Sequence, residues 1–231
     1  VQYPGRQDRR AEPFVTSITG MADLIAAELA QLSPGPLLLF CHSMGAAVAF
    51  ETARRVEQAG RHLVGLVASA RRAPSHHHAG TLHAGTDADL IAELRRLDGT
   101  ATSLLADDDA VQMILPAVRN DYHAIETYRC PPDATVHCPI TVLLGADDPS
   151  LTDPEASRWA AHTTTGYDLH TFPGGHFYLV PQRRQVTALL HEMSTAGRRV
   201  ARRGHPGRGA PRRPVSNGNH SGLMWWSGWK W

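Results

Sequence analysis

Helical and strand-like hydrophobic spacings alternate along most of the chain. Between positions 16 and 32, Ile18, Met21, Leu24, Ile25, Leu29 and Leu32 recur at helical spacing, and Ser33-Pro34-Gly35-Pro36 ends the run. Leu37-Leu38-Leu39-Phe40 follows as a short continuous apolar stretch, the pattern of a strand buried on both faces. A second helix is expected over 44–59, Ala-rich on its inner side and stopped by Gly60. Further strands are expected over 62–69 and 140–144, and a more peripheral, alternating one over 167–172. Strand and helix in repetition predict an α/β fold with a mostly parallel sheet flanked by helices.

Positions 71–139 break that rhythm. A His- and Gly-rich loop over 75–85 opens them. A helix is then expected from the N-cap Thr86, with Leu90, Ile91, Leu94 and Leu97 on one face and Gly99 as its stop. A longer amphipathic segment carries Val111, Ile114, Leu115, Val118 and Ile125 and is expected to bend at Pro116. This is read as a helical lid inserted between two strands, its apolar faces lining a chamber at the edge of an active site. From Gly197 to the end all periodicity is lost, so the division is a folded unit over 1–196 and a disordered, basic, Trp-rich tail over 197–231. That tail is either a partner contact or an appended extension. Val1-Gln2-Tyr3 reads as the end of a strand, so the fold is expected to lack its first strands.

Charge divides in the same place. The chain of 231 residues has a formal charge of +1, but the tail holds seven Arg and Lys230 and no acid; subtracting those eight leaves −7 for 1–196. A body that acidic is not expected to grip nucleic acid. Cys41, Cys130 and Cys138 are too few and too scattered for a disulfide framework or a metal knuckle, which suggests a reduced, cytoplasmic setting. The longest uncharged apolar stretch, 36–50, is too short to span a bilayer, so no membrane role is expected.

Ser43 stands between the buried strand 37–40 and the next helix, in Cys41-His42-Ser43-Met44-Gly45. A serine on such a tight turn has its hydroxyl pushed out at the sheet edge above a helix N-terminus, and the Met44 N–H is placed to meet an oxyanion. The competing reading is an ordinary helix cap. A hydroxyl nucleophile needs a base. Of fourteen histidines, His176 lies in Pro173-Gly174-Gly175-His176, a glycine turn after the last strand that can carry an imidazole over the same edge. The base needs an acid, and Asp147-Asp148 follows strand 140–144, with either residue eligible. His42 is read as a packing residue of the elbow. His76-His77-His78 is read as a solvated loop, with no metal expected.

Serine, aspartate, histidine is the chain order of α/β-hydrolases. Positions 1–195 resemble the discrete (type II) thioesterases that accompany polyketide and non-ribosomal peptide synthases. The resemblance rests on Tyr3-Pro4-Gly5-Arg6 with Arg9, His42-Ser43-Met44-Gly45-Ala46, Leu94-Arg95-Arg96-Leu97, Glu126-Thr127-Tyr128, Cys138-Pro139-Ile140-Thr141, Trp159 and Phe172-Pro173-Gly174-Gly175-His176-Phe177. It implies an α/β-hydrolase fold, catalytic Ser43, Asp148 and His176, and hydrolysis of acyl groups from phosphopantetheine-bearing carrier proteins to clear mis-primed or stalled chains. Implied too are a monomer and the absence of any cofactor beyond the partner's phosphopantetheine. The family usually has glycine where this chain has Cys41, a replacement expected to be tolerated. The family's second oxyanion donor sits in an earlier loop, which this chain lacks. The alternatives are a small-molecule carboxylesterase or lipase, and a truncated, inactive carrier-binding module. The carrier-docking spot is sought around Arg71-Arg72 or Arg95-Arg96.

Overall fold

Leu37–His42 (β1) is a strand whose alternate residues enter two different cores. Leu37, Leu39 and Cys41 pack on one side of the sheet, Leu38 and Phe40 on the other. All six residues are buried, as a strand sandwiched between helix layers requires. The computed structural model describes residues 1–33, 35–77, 80–97, 107–203 and 223–226. Leu63–Ser69 (β2), Ile140–Gly145 (β3) and Tyr167–Phe172 (β4) continue a parallel sheet outward from β1. Its order is β4-β3-β2-β1, with the short Leu223–Trp226 (β5) on the outer edge of β1. As expected of an edge strand, β4 alone of these first four is mostly half-buried or exposed.

Ile18–Gln31 (α1) and Met44–Gln58 (α2) cover one face of the sheet, and Arg183–Arg203 (α6) covers the other through Val186 and Leu190. Ser17 caps α1 by accepting the Gly20 N–H. The inner face of α1 is Ile18, Met21, Ala22, Ile25 and Leu29; Leu24 and Leu32, expected there, are half exposed at 49% and 51%. Leu24 and Leu32 therefore lie at the margin of the stripe that α1 buries.

Between β2 and β3 the expected helical insertion is present as Asp87–Arg96 (α3) and Asp108–Thr127 (α4). Thr86 caps α3 in a reciprocal capping box with Asp89. The expected stop, Gly99, lies outside the described residues. Helix α4 runs on through Pro116 as one element. Of the residues expected on those apolar faces, Leu97 and Ile125 line a cavity, and most of the others do not. Leu90 and Leu94 pack against Val111, Ile114, Leu115 and Val118 in a cluster of their own, because two amphipathic neighbours bury each other's stripes. Asp153–Ser157 (α5) follows β3 and is joined to β4 through a 3₁₀ turn that buries Trp159.

The N-terminal residues 1–3 join no strand; Tyr3 is buried against the α1–α2 core instead. Regular structure also occurs in the stretch expected to be disordered: α6 extends to Arg203, and β5 pairs with β1 from Leu38↔Leu223 to Cys41↔Trp226. Arginine is a strong helix former, which lets a helix already docked on the sheet propagate, and Leu-Met-Trp-Trp suits pairing with an open strand edge. The rest of that tail lies outside the described residues. No helix among the described residues is long and apolar enough to cross a membrane.

Candidate active site

Three loops at the C-terminal edge of the parallel sheet assemble the site. After β1 the chain turns sharply at Ser43, whose φ of 53° and ψ of −129° lie outside the regions a non-glycine residue normally occupies. The strain is held by a hydrogen bond from the Ser43 N–H to the Ser69 carbonyl (2.8 Å) and by α2 starting at the next residue. The hydroxyl does not cap α2. It donates instead to His176 Nε2 at 3.1 Å, which removes the helix-cap reading. Met44 opens α2 beside it, among the first-turn amides that a helix leaves without internal acceptors.

The loop after β3 delivers the carboxylate. Asp148 is buried, and its Oδ2 accepts the His176 Nδ1–H at 2.9 Å, which fixes the tautomer that leaves Nε2 free to accept from Ser43. Oδ1 accepts from the Ser150 N–H (2.8 Å) and hydroxyl (2.7 Å). Burial works to raise the Asp148 carboxyl, but hydrogen bonds from His176 and Ser150 outweigh it and hold the group below its ordinary value. Asp147 is exposed, and its N–H donates to the Gly174 carbonyl (3.0 Å). The sequence left the two aspartates equivalent; the backbone path separates them.

The third loop carries the imidazole and requires glycine elsewhere. A Cβ on Gly145, the last residue of β3, would collide with the carbonyl oxygens of both Gly174 and Gly175. Gly174 itself has φ 117°. These bare backbones let the turn after β4 settle on the end of β3, bringing His176 to both Asp148 and Ser43.

Behind His176 lies a buried polar chain that the sequence did not disclose. His42, expected as a packing residue, sets its ring at a tilt against that of His176, with 4.9 Å between centroids. Its Nδ1 bonds the Ser69 hydroxyl (2.9 Å), which bonds the Tyr178 hydroxyl (2.7 Å). Burial, and then the neighbouring His176, push His42 well below the usual histidine value and keep it neutral. Cys41 packs into the α1–α2 core, and burial pushes its thiol well up, so it is an inert neighbour of the elbow.

Ser43, Met44 and His176 open into a cavity of about 540 Å³ roofed by the inserted helices. Its lining is strongly charged: Arg71, Arg72 and Arg96, with Glu93, Asp121 and Glu126. Glu126 accepts from the Leu82 N–H (3.0 Å), the His83 N–H (3.0 Å) and His83 Nδ1 (2.5 Å). Asp121 pairs with buried Arg6; burial raises its carboxyl to about 6 against the pull of that guanidinium. Among the described residues no group of three or more His, Cys, Asp or Glu is arranged to hold a metal ion. His76 stands near Glu155 (3.7 Å), and His78 lies outside the described residues.

Comparison with known proteins agrees with this geometry. A family model described as "Thioesterase domain" matches residues 1–196. The probable cadicidin biosynthesis thioesterase of Streptomyces griseus is 48% identical over 211 residues, 91% of this chain and 56% of that protein. Thioesterase PikA5 of Streptomyces venezuelae is 45% identical over 190 residues, 80% of this chain and 67% of the relative. The chain thus spans between about half and two thirds of these relatives' lengths. Among solved structures, the type II thioesterase BorB from the borrelidin biosynthetic cluster superposes with a TM-score of 0.78 at 48% identity, covering 84% of this chain and 79% of BorB. YbtT, a type II thioesterase from the yersiniabactin pathway, gives 0.78 at 34% identity, covering 86% of this chain and 82% of YbtT.

Proposed function

This chain belongs to the thioesterase family, and from that premise we propose that it hydrolyses acyl groups from the phosphopantetheine thiol of carrier proteins, clearing mis-primed or stalled chains in polyketide or non-ribosomal peptide assembly. The reading is carried by one observation: the Ser43 hydroxyl donates to His176 Nε2 (3.1 Å) while His176 Nδ1 donates to Asp148 (2.9 Å), beside a cavity wide enough for an acyl thioester.

In this mechanism Ser43 Oγ attacks the thioester carbonyl as its proton passes to His176 Nε2. The carbonyl oxygen gains charge beside the Met44 N–H and the positive end of α2. Asp148, held ionised, stabilises the imidazolium that forms. Collapse of the tetrahedral adduct breaks the C–S bond, and the thiol leaves with the proton from His176. Water then attacks the acyl-serine with His176 as base, releasing the acid and restoring Ser43. A thiolate is a better leaving group than an alkoxide, so little acid assistance is needed in the first half. These steps call for no metal or cofactor; the pantetheine arm belongs to the carrier protein.

Incubation with an acyl carrier protein bearing a short acyl group tests the proposal. Release of the acid by the wild-type chain, and none by Ser43→Ala, is the expected result. Unchanged loading in both, or faster turnover of matched oxygen esters, would overturn it.

A further inference from the structure

The charge in the cavity is unevenly compensated. Arg96 chelates Glu93 (2.6 and 2.8 Å) and reaches the Pro149 carbonyl (3.3 Å). Arg72 donates to the Ser150 carbonyl (2.8 Å) and lies 3.8 Å from Glu155. Each lining acid also has donors of its own: Arg96 for Glu93, Arg6 for Asp121, and Leu82 and His83 for Glu126. Arg71 differs, because its guanidinium makes no hydrogen bond or ion pair to any described residue, although Tyr122 and Glu126 lie within electrostatic range.

The backbone places that guanidinium with purpose. Ser69, at the end of β2, accepts the N–H of Ser43 (2.8 Å). Ala70 then adopts φ 51°, a left-handed conformation uncommon for a residue with a side chain. Its own N–H is held by the Leu143 carbonyl (2.8 Å) and its side chain lines the cavity. The Arg71 carbonyl is fixed by the Trp159 indole N–H (2.7 Å). A strained residue and two anchoring hydrogen bonds thus present one arginine to the enclosed space beside the nucleophile. Burial lowers this guanidinium to about 10, which leaves it charged at neutral pH.

A half-buried guanidinium with no hydrogen bond or ion pair of its own leaves its donors to a ligand that completes them. We propose that Arg71 binds an anion on the substrate, and that the cavity takes acyl groups ending in a carboxylate, the half-thioesters of dicarboxylic acids. Arg71 lines the same cavity as Ser43 and follows the strand end that accepts the Ser43 N–H, which favours an anion on the acyl group itself. The phosphate of the pantetheine arm lies much farther from that carbon. Guanidinium and carboxylate form a charge-assisted, bidentate pair, and such pairs discriminate strongly against an analogue lacking the charge.

This inference rests on the thioesterase reading, and the test separates the two. Succinyl and butyryl thioesters are each presented on pantetheine and on 4′-phosphopantetheine, to the wild type, Arg71→Gln and Arg71→Lys. The ratio of kcat/KM for succinyl over butyryl is expected to fall at least about tenfold in R71Q, on both arms and chiefly through the succinyl KM, with partial recovery in R71K. An unmoved ratio overturns the role of Arg71, and a loss that follows the phosphate rather than the acyl group assigns the residue to the arm instead. Hydrolysis of neither thioester by the wild type overturns both readings. Should R71Q not fold, the unmutated chain still decides. Succinyl-pantetheine amide is expected to protect Ser43 from a fluorophosphonate probe at concentrations at least about tenfold below butyryl-pantetheine amide; equal protection refutes the proposal.

Discussion

Gly145→Ala places one methyl group between β3 and the turn that carries His176. The obstructing atoms are the carbonyl oxygens of Gly174 and Gly175, backbone groups that no rotamer change can withdraw. Restoring ordinary contact requires the turn to retreat by on the order of 1 Å. That displacement applies directly to the next residue, whose imidazole spans 3.1 Å to Ser43 and 2.9 Å to Asp148. Both hydrogen bonds would pass beyond useful length. A misplacement of ~1 Å at reacting groups costs ~10²-fold in rate, and overpacking of this kind costs about 1–3 kcal/mol in stability, or a Tm lower by roughly 2–12 °C for a chain of this size. Steady-state hydrolysis of an acyl-carrier thioester, with thermal melting of the same preparation, measures both. Gly166→Ala is the control, since its Cβ would meet only Pro139 Cβ at 3.7 Å, an ordinary contact. Wild-type turnover and Tm in G145A would refute the claim that this glycine sets the position of the base.

Asp148→Asn should lower kcat by ~10³–10⁴-fold with little change in KM, because an amide no longer enforces the Nδ1–H tautomer; a loss under tenfold counts against a triad role. Ser43→Ala should abolish both turnover and labelling by a fluorophosphonate, which intact mass spectrometry reads directly. His42 is depressed below its ordinary 6.5 in the fold, so its stabilising contribution is complete above pH 6.5 and is lost as pH falls toward its folded value. Melting curves from pH 7.5 to 5 should therefore show a smaller acid loss in His42→Gln than in the wild type, and parallel curves would contradict this. Thr86→Ala removes the capping box of α3 and should weaken that helix by about 1 kcal/mol, visible as faster amide exchange confined to residues 87–96; unchanged exchange there would show that the cap is redundant.

What the sequence disclosed follows from where its signals are local. Leu37 to Phe40 could only be a strand buried on both sides, and Ser43 at its end announced the elbow. Thr86 marked the start of α3, and the structure adds Asp89 as its reciprocal partner. Signals that depend on a partner were illegible. Leu24 and Leu32 belong to the apolar stripe of α1 by periodicity, yet they lie at the margin of what the helix buries. The lid helices show apolar faces in sequence, but nothing in the spacing reveals that most of those residues meet each other and that charged residues share the cavity with Leu97 and Ile125. Ser69 lies far from the triad in sequence, and although Ser150 and Tyr178 stand two residues from Asp148 and His176, no motif marks any of the three. Gly145 is one glycine among twenty until its neighbours across the turn are known. Arg71-Arg72, sought as a docking spot, line the cavity beside Ser43, which their sequence position did not reveal.

Glu126 and Arg119 stitch the segment before α3 onto α4: Glu126 accepts from Leu82 and His83, and Arg119 donates to the carbonyls of His83 (2.8 Å) and Gly85 (2.7 Å). Peeling either piece away alone would break this whole set of bonds. Rim and roof are thus tied into one unit, joined to the rest of the fold where the chain leaves β2 and where it leaves Thr127. The first of those junctions, the end of β2, is also where the Ser69 carbonyl holds the Ser43 N–H, so doorway and elbow share an anchor.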